Sequence, residues 1–407
     1  MHTIVRTALM AVGLCAAQGV QATPWSEFAQ QALTSLEALP EIQAQQAELA
    51  LSNLAVDTAN QALYNPGLSL DVENLGASSA KEEVTLGLSQ SIDWSDKRGY
   101  RTRVAQLAAL QAQAQYRQSR NLALARLLSG WVSLSQAQTL AGYASEQKQR
   151  TLEMLTLAER MVQVGELAPL DRQLITLELA RVGSDHADAL QALAQAKAQV
   201  RLAGGNPQLA LPAWSASISL PSTEVTPQLP ALKGNYQKVL AARAALDLAR
   251  TQGKADPTLS IGAKTDGDDS SLQLGVSVPL NVRNRYQGEI AQANQAILVA
   301  ESQFLSDART LEITLESLSE RYQAVSDNYV SWQQLTRDSL QSSQKLMQTL
   351  WQGGEMPTSQ YLQSQQQLAD TRAVGAELAA EQSTLWIEMM AQRGELEAWL
   401  TDQAQAQ

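Results

Sequence analysis

The sequence predicts a mainly α-helical chain that carries part of a β-barrel and is built twice over from one helix–strand–strand–helix unit. Three observations predict it: a self-similarity at nearly constant offset, four runs of strand length with period-two patterning, and a helical path too long for a globular domain.

The repeat organises everything else. Asn65-Pro66-Gly67-Leu68-Ser69-Leu70 returns as Asp256-Pro257-Thr258-Leu259-Ser260-Ile261, 191 positions later. Leu86-Gly87-Leu88-Ser89 returns as Leu274-Gly275-Val276-Ser277 at 188, and Val164-Gly165-Glu166-Leu167-Ala168-Pro169 is echoed by Gly353-Gly354-Glu355-Met356-Pro357 at 188 to 189. Three matches in one order mark a duplication. The expected organisation is a signal peptide at 1–22, a first repeat at 23–205, a Pro-rich linker at 206–230, a second repeat at 231–401 and a tail at 402–407.

The leader has the layout of a secretory signal: Arg6, an apolar run from Ala8 to Ala17, and the small-residue pattern Val20-Gln21-Ala22. That run is shorter than the roughly 20 residues needed to span a bilayer. Cleavage after Ala22 removes the chain's one cysteine, Cys15; acylation of Cys15 is the alternative, against which Leu14 stands as a bulky residue where a small one is expected. Cleavage also removes one cation from a chain of net charge −11, leaving −12. Such a charge repels nucleic acid and anionic surfaces.

The helical segments show coiled-coil spacing. Leu311, Leu315, Leu318, Tyr322, Val325, Tyr329 and Trp332 alternate steps of four and three. Between Arg98 and Val164 there is no proline, so an unbroken helix there runs roughly 100 Å at 1.5 Å per residue. Gly130 and Gly142 offer places for it to divide into two stacked helices. Pro169 and Pro357 suit the first turn after each break, where a missing N–H costs nothing.

Strands are expected at about 67–74, 83–92, 257–265 and 271–280. Their apolar side chains, Leu68, Leu70 and Val72, then Val84, Leu86 and Leu88, then Leu259 and Ile261, then Leu272, Leu274, Val276 and Val278, alternate with Ser, Thr, Gly and charged residues. The apolar set is the candidate lipid-facing surface and the polar set the candidate lumen lining; a pair of hairpins on a soluble core produces the same pattern. Strand edges cannot face lipid, so four strands require several copies to close a barrel. The tips, Gly76-Ala77-Ser78-Ser79 and Asp266-Gly267-Asp268-Asp269, are polar and turn-forming. Trp94, Lys97, Arg98, Arg283, Arg285 and Tyr286 at the other end read either as headgroup contacts or as turn residues.

No catalytic constellation stands out. The histidines are His2 and a lone His186, there is no phosphate-binding G-x-x-x-x-G-K-[ST] loop, and carboxylates are dispersed along helix faces. No catalytic residue, metal ligand or cofactor is therefore expected.

Over essentially the whole mature chain, the leader, the duplicated unit and the residues around each break resemble the TolC family of outer-membrane efflux proteins. Asn65-Pro66 through Asn74, Val278-Pro279-Leu280, Arg283-Asn284-Arg285 and Gly288-Glu289-Ile290-Ala291 look most like its CzcC-like heavy-metal branch. The resemblance implies a homotrimer with one shared twelve-stranded outer-membrane barrel and a long periplasmic α-helical tunnel. It implies a passive exit duct serving a periplasmic adaptor and an inner-membrane pump of the resistance-nodulation-division type, with multidrug export, type I secretion and a periplasmic coiled-coil scaffold as alternatives. Val164, Gly165, Glu166, Gly353, Gly354 and Glu355 match the tip that contacts the adaptor. Asp171 matches a family aspartate and is the candidate gate link, or a first-turn acid complementing its helix dipole. Gln360 and Gln363 stand where some members carry rings of aspartate, so the gate chemistry departs from the family pattern.

Overall fold

A computed structural model describes residues 25–76, 80–212 and 220–405. The expected leader with Cys15, tip residues 77–79, residues 213–219 of the linker and the last two residues lie outside them. The first repeat contributes α1 (Trp25–Glu37), α2 (Pro40–Ala59), β1 (Gly67–Glu73), β2 (Glu83–Ser91), α3 (Lys97–Gln163) and α4 (Pro169–Leu202). The second contributes α5 (Pro230–Gln252), β3 (Thr258–Thr265), β4 (Ser270–Ser277), α6 (Gln287–Thr336), α7 (Ser339–Gln352), α8 (Thr358–Arg393) and α9 (Leu396–Gln405). Helix α2 thus corresponds to α5, β1 and β2 to β3 and β4, and α3–α4 to α6–α8. Helix α9 continues into the stretch expected to be a tail.

The four strands form one antiparallel sheet in the order β1-β2-β3-β4. Its register places Leu70 opposite Leu86, Leu88 opposite Ile261, and Ile261 opposite Leu274. Directly opposed residues share a face, so the large apolar strand residues all lie on one side, joined there only by Gln90, Thr265 and Ser270 near the strand ends, while the other Ser, Thr and Gly residues and the charged residues lie on the opposite side. No described helix packs on this sheet, and Leu274 is 78% exposed. The strand limits fall within three residues of the expected ones. Asn74 turns the chain out of β1 at φ 58°, and Val278 falls just beyond β4, where Pro279 has no N–H for a ladder.

Two strand-to-helix corners repeat each other. Before α3, the Asp93 carboxylate accepts from the Lys97 and Arg98 amides at 2.8 Å, and Asp96, left-handed at φ 59°, caps Gly99 N at 3.2 Å. A side chain at 99 would put Cβ 2.3 Å from the Asp96 carboxylate, so it would displace this cap. Before α6, Tyr286 is left-handed at φ 57°.

Helix α3 runs through Gly130 and Gly142 without dividing, 67 residues in all. An internal glycine costs only about 1 kcal/mol relative to alanine, and at Gly130 the bare backbone packs against Val200 of α4. The break occurs instead in the second repeat, between α6 and α7. There the hydroxyls of Thr336, Ser339 and Ser342 bond the carbonyls of Trp332, Leu335 and Asp338 at 2.5–2.6 Å. Such back-bonding competes with the helical ladder and bends it.

The main core lies midway along the rod, where α1 and α9 meet. Phe28 and Leu36 of α1, Leu124, Leu127 and Trp131 of α3, and Trp386 of α8 are buried together. Ring centroids stand 4.8 Å apart for Phe28–Trp131 and 4.7 Å for Trp386–Trp399, edge to face. The Trp131 indole N–H donates to the Asn206 carbonyl at 3.1 Å. Trp131→Ala removes a large ring from this collar and is expected to cost about 3–5 kcal/mol, measured as a lowered unfolding midpoint by circular dichroism in detergent.

Candidate functional site

Two regions carry the residues singled out in the sequence, the ends of the long helices and the sheet with its base. Both helix breaks are the same motif. After α3, Gly165 has φ 82°; its N–H donates to the Val162 carbonyl at 3.2 Å and that of Glu166 donates to Met161 at 2.9 Å. After α7, Gly354 has φ 73°, with Gly354 N–H to Trp351 at 3.1 Å and Glu355 N–H to Leu350 at 2.9 Å. This is a Schellman cap, and it satisfies carbonyls that the ending helix leaves free. A Cβ at Gly165 or Gly354 would meet nothing within 4 Å. Glycine is therefore required within the chain by the left-handed backbone, not by close approach of helices.

Val164, Gly165, Glu166, Gly353, Gly354 and Glu355 are all exposed at the two turns. Pro169 is the first residue of α4, as expected, whereas Pro357 is the cap before α8. Asp171 lies half-buried in the first turn of α4, and among the described residues its carboxylate takes no hydrogen bond or ion pair. Gln360 and Gln363 are exposed on α8, and no hydrogen bond joins them to Asp171 among the described residues.

What the sequence did not reveal is the cluster that joins the two turns. Met154 and Ala158 of α3, Ile175 of α4, Trp351 of α7 and Tyr361 of α8 are buried together. Trp351 and Tyr361 stack at 5.3 Å, and the Trp351 N–H donates to Thr358 Oγ1 at 3.2 Å. Burial pushes the Tyr361 hydroxyl pKa up. Farther from the tip, a groove of about 740 Å³ is bordered by Arg150, Arg337, Lys345 and Arg372 with Tyr143 and Trp332. Trp332 lies flat on α8, where a Cβ at Gly375 would stand 2.2 Å from its ring.

On the sheet, the polar face carries Asp71, Glu73, Glu83 and Lys264 towards the hairpin tips; Lys264 bridges Glu83 and lies 3.8 Å from Glu73. The rest of that face is Ser, Thr, Gly and Gln. Among the described residues no group of three His, Cys, Asp or Glu is placed to hold a metal ion, and no helix is long and apolar enough to cross a membrane.

The base of the sheet is pinned by Asp256, which is 7% exposed. It accepts from Tyr64 Oη at 2.6 Å and Lys97 Nζ at 2.8 Å, so one carboxylate ties the approach to β1, the start of α3 and the approach to β3. Lys97 therefore serves this junction. The hydrogen bond to Asp256 pushes the Tyr64 hydroxyl up to about 12. Burial works to raise the Asp256 carboxyl, but hydrogen bonds from Lys97 and Tyr64 outweigh it and hold the carboxyl below its ordinary range.

This fold defines a class: the chain has the TolC-like fold of outer-membrane channels, as its duplicated unit led us to expect. The CmeC outer membrane channel of Campylobacter jejuni superposes with a TM-score of 0.71 at 11% identity, over 99% of this chain and 97% of that one. The outer membrane protein VceC of Vibrio cholerae gives a TM-score of 0.71 at 15% identity, over 90% and 96%. In sequence, the chain is 26% identical over 258 residues to the cobalt-zinc-cadmium resistance protein CzcC of Cupriavidus metallidurans. That match spans 61% of each protein, less than two thirds of the relative's length, and agrees with the resemblance drawn from the short motifs. No family model matches the chain.

The Asp256 junction carries a pH prediction. A carboxyl held below its ordinary value of about 3.9 contributes stability that is present above that value and lost as pH falls through the folded one. Tyr64, raised to about 12, contributes stability that is present below about 10 and lost as pH rises towards its folded value. The stability gap between the parent and Asp256→Asn, from chemical unfolding, is expected to stay constant near neutrality, shrink below about pH 4 and shrink again above about pH 10.

Proposed function

We propose that the chain is one subunit of a passive exit duct in the cell outer membrane, serving a tripartite efflux system. The observation that carries this is the sheet: four strands with one predominantly apolar face that no described helix covers, one polar face, and two open edges, standing on long helices. In water such a face would drive aggregation. In a bilayer it meets lipid, provided the edges are paired.

Closure fixes the assembly. The free edges belong to β1 and β4, which run antiparallel to each other in an up-and-down sheet. Copies therefore join β4 to β1 around a ring without a break in the antiparallel pattern. Two copies give about eight strands, a barrel filled by its own side chains, whereas three give about twelve and leave a passage. The homotrimer is the reading that conducts. The small residues of the polar face then line the lumen, and helices α3 and α6–α7 carry the duct into the periplasm.

The exposed turns at Val164–Glu166 and Gly353–Glu355 are the proposed contact with a periplasmic adaptor. Energy comes from an inner-membrane transporter of the resistance-nodulation-division type, because a tube of this kind moves nothing uphill by itself. Asp171, Gln360 and Gln363 are the proposed gate residues between copies. Transition-metal cations are the proposed cargo, supported by the similarity to the cobalt-zinc-cadmium resistance protein. The chain's role in this scheme is conduction, not catalysis.

A strain lacking the protein is expected to become several-fold more sensitive to cobalt, zinc and cadmium salts and unchanged towards dyes. Equal sensitivity to every compound would remove the metal assignment and leave the duct. The sheet makes a separate prediction. Leu274→Arg on the apolar face is expected to cost about 2–4 kcal/mol in the bilayer and to lower the amount of protein recovered in outer membranes. Gln273→Arg, one residue away on the polar face, is expected to leave recovery unchanged and alter conductance in planar bilayers.

A further inference from the structure

Cations gather at one place in a chain where acids predominate. The sequence carries 41 acidic against 30 basic residues, yet the groove of about 740 Å³ beside the α6–α7 break is bordered by Arg150, Arg337, Lys345 and Arg372, and no described Asp or Glu lines it. The four side chains converge from different elements: Arg150 from α3, Arg337 from the break itself, Lys345 from α7 and Arg372 from α8.

Their charge is little used inside the chain. Among the described residues the side chains of Arg337 and Lys345 take no hydrogen bond or ion pair. Arg372 donates to Gln344 Oε1 at 2.7 Å, a neutral acceptor that holds the guanidinium and leaves its charge unbalanced. Arg150 meets a carboxylate, that of Glu146 one turn earlier on α3, at 3.0 Å; both side chains are exposed enough for the pair to be weak. The start of α7 adds the same sign. Leu340 and Gln341 of its first turn line the groove, and the Asp338 side chain does not cap it, so free N–H groups at the positive end of a helix border the same space. Tyr143 completes the lining with a hydroxyl that takes no partner among the described residues. Like charges around one groove repel one another, and an anion between them turns that repulsion into attraction.

We propose that this groove binds a compact polyanion bearing carboxylate or phosphate groups. A guanidinium presents paired N–H groups to either kind of oxyanion, and an ammonium adds a point charge; three of the former and one of the latter suit a ligand with several negative charges. Once bound, it bridges α3, α7 and α8 across the break and braces the segment that leads to the tip. It is distinct from the proposed cargo, since a free metal cation is repelled by such a groove. The site is built within one chain and does not rest on the exit-duct reading.

The test is isothermal titration calorimetry on the whole protein in mild detergent, with citrate and pyrophosphate as separate probes and sodium chloride of equal ionic strength as the control. Saturable binding of at least one polyanion is expected, with none for chloride. Binding of citrate alone would make the ligand a polycarboxylate, of pyrophosphate alone a phosphate compound, and of both a polyanion chosen by charge and size. Arg337→Gln combined with Lys345→Gln is expected to weaken binding about tenfold or more, and Glu146→Gln to tighten it severalfold by releasing Arg150. Lys148→Gln, which removes an exposed cation that does not line the groove, is expected to leave binding unchanged. Failure of both polyanions to saturate would overturn the site, as would a loss in Lys148→Gln equal to that in the double variant, which marks a diffuse field. Loss of the assembled mass in the double variant would overturn it too, because the two cations would then serve contacts between copies.

Discussion

In hydrocarbon, every backbone N–H and C=O must find a partner inside the protein, and this chain leaves two rows of them unpaired. That constraint governs the rest of the structure. A sheet of four strands has an outer edge on β1 and another on β4, and no described helix packs on either strand. The predominantly apolar face favours lipid over water for the sheet, and open edges in lipid require partners. In the proposed duct, assembly is thus a condition of the fold reaching its final environment, not an addition to it. The duplication makes this economical, since one unit used twice supplies an even number of alternating strands and a ring of copies closes without a mismatched neighbour.

The polar bonds that survive burial lie where the sheet meets the helices. Asp256, Tyr64 and Lys97 join three segments that are far apart in sequence. A charged pair at such a site contributes little net energy if its partners are merely replaced by apolar groups, but removing one partner leaves a buried charge alone. The junction therefore fixes geometry: it sets the angle at which hairpins leave the helical rod. The aromatic collar around Trp131 performs the complementary task midway along the rod, where it gathers α1 and α9 onto α3 and α8.

Period and repetition were legible in the sequence, because both are properties of spacing. The alternation in Leu68–Val72 and in Leu272–Val276 placed four strands within a few residues and assigned each side chain to its face. The three echoed motifs gave the duplication and both tip turns. Properties that depend on tertiary context were not legible. Gly130 and Gly142 looked like division points, yet α3 passes through both, since an internal glycine costs a helix only about 1 kcal/mol and α4 packs along α3 at 130. The true break at Arg337–Asp338 contains neither glycine nor proline; its signal was the run of hydroxyls at 336, 339 and 342. Tip residues Trp351 and Tyr361 were invisible as a pair because ten residues and a turn separate two rings that stack. The charge of the tip was legible only as an absence, glutamine at 360 and 363, and the Asp171 carboxylate takes no hydrogen bond or ion pair among the described residues.

The central claim is that this chain exists as a ring of copies with its sheet in lipid. The most direct measurement is the mass of the protein extracted from isolated outer membranes in mild detergent, by light scattering with the detergent contribution subtracted. The account predicts three times the mass of the mature chain. A single-chain mass, with the protein recovered from the soluble periplasmic fraction, would contradict it.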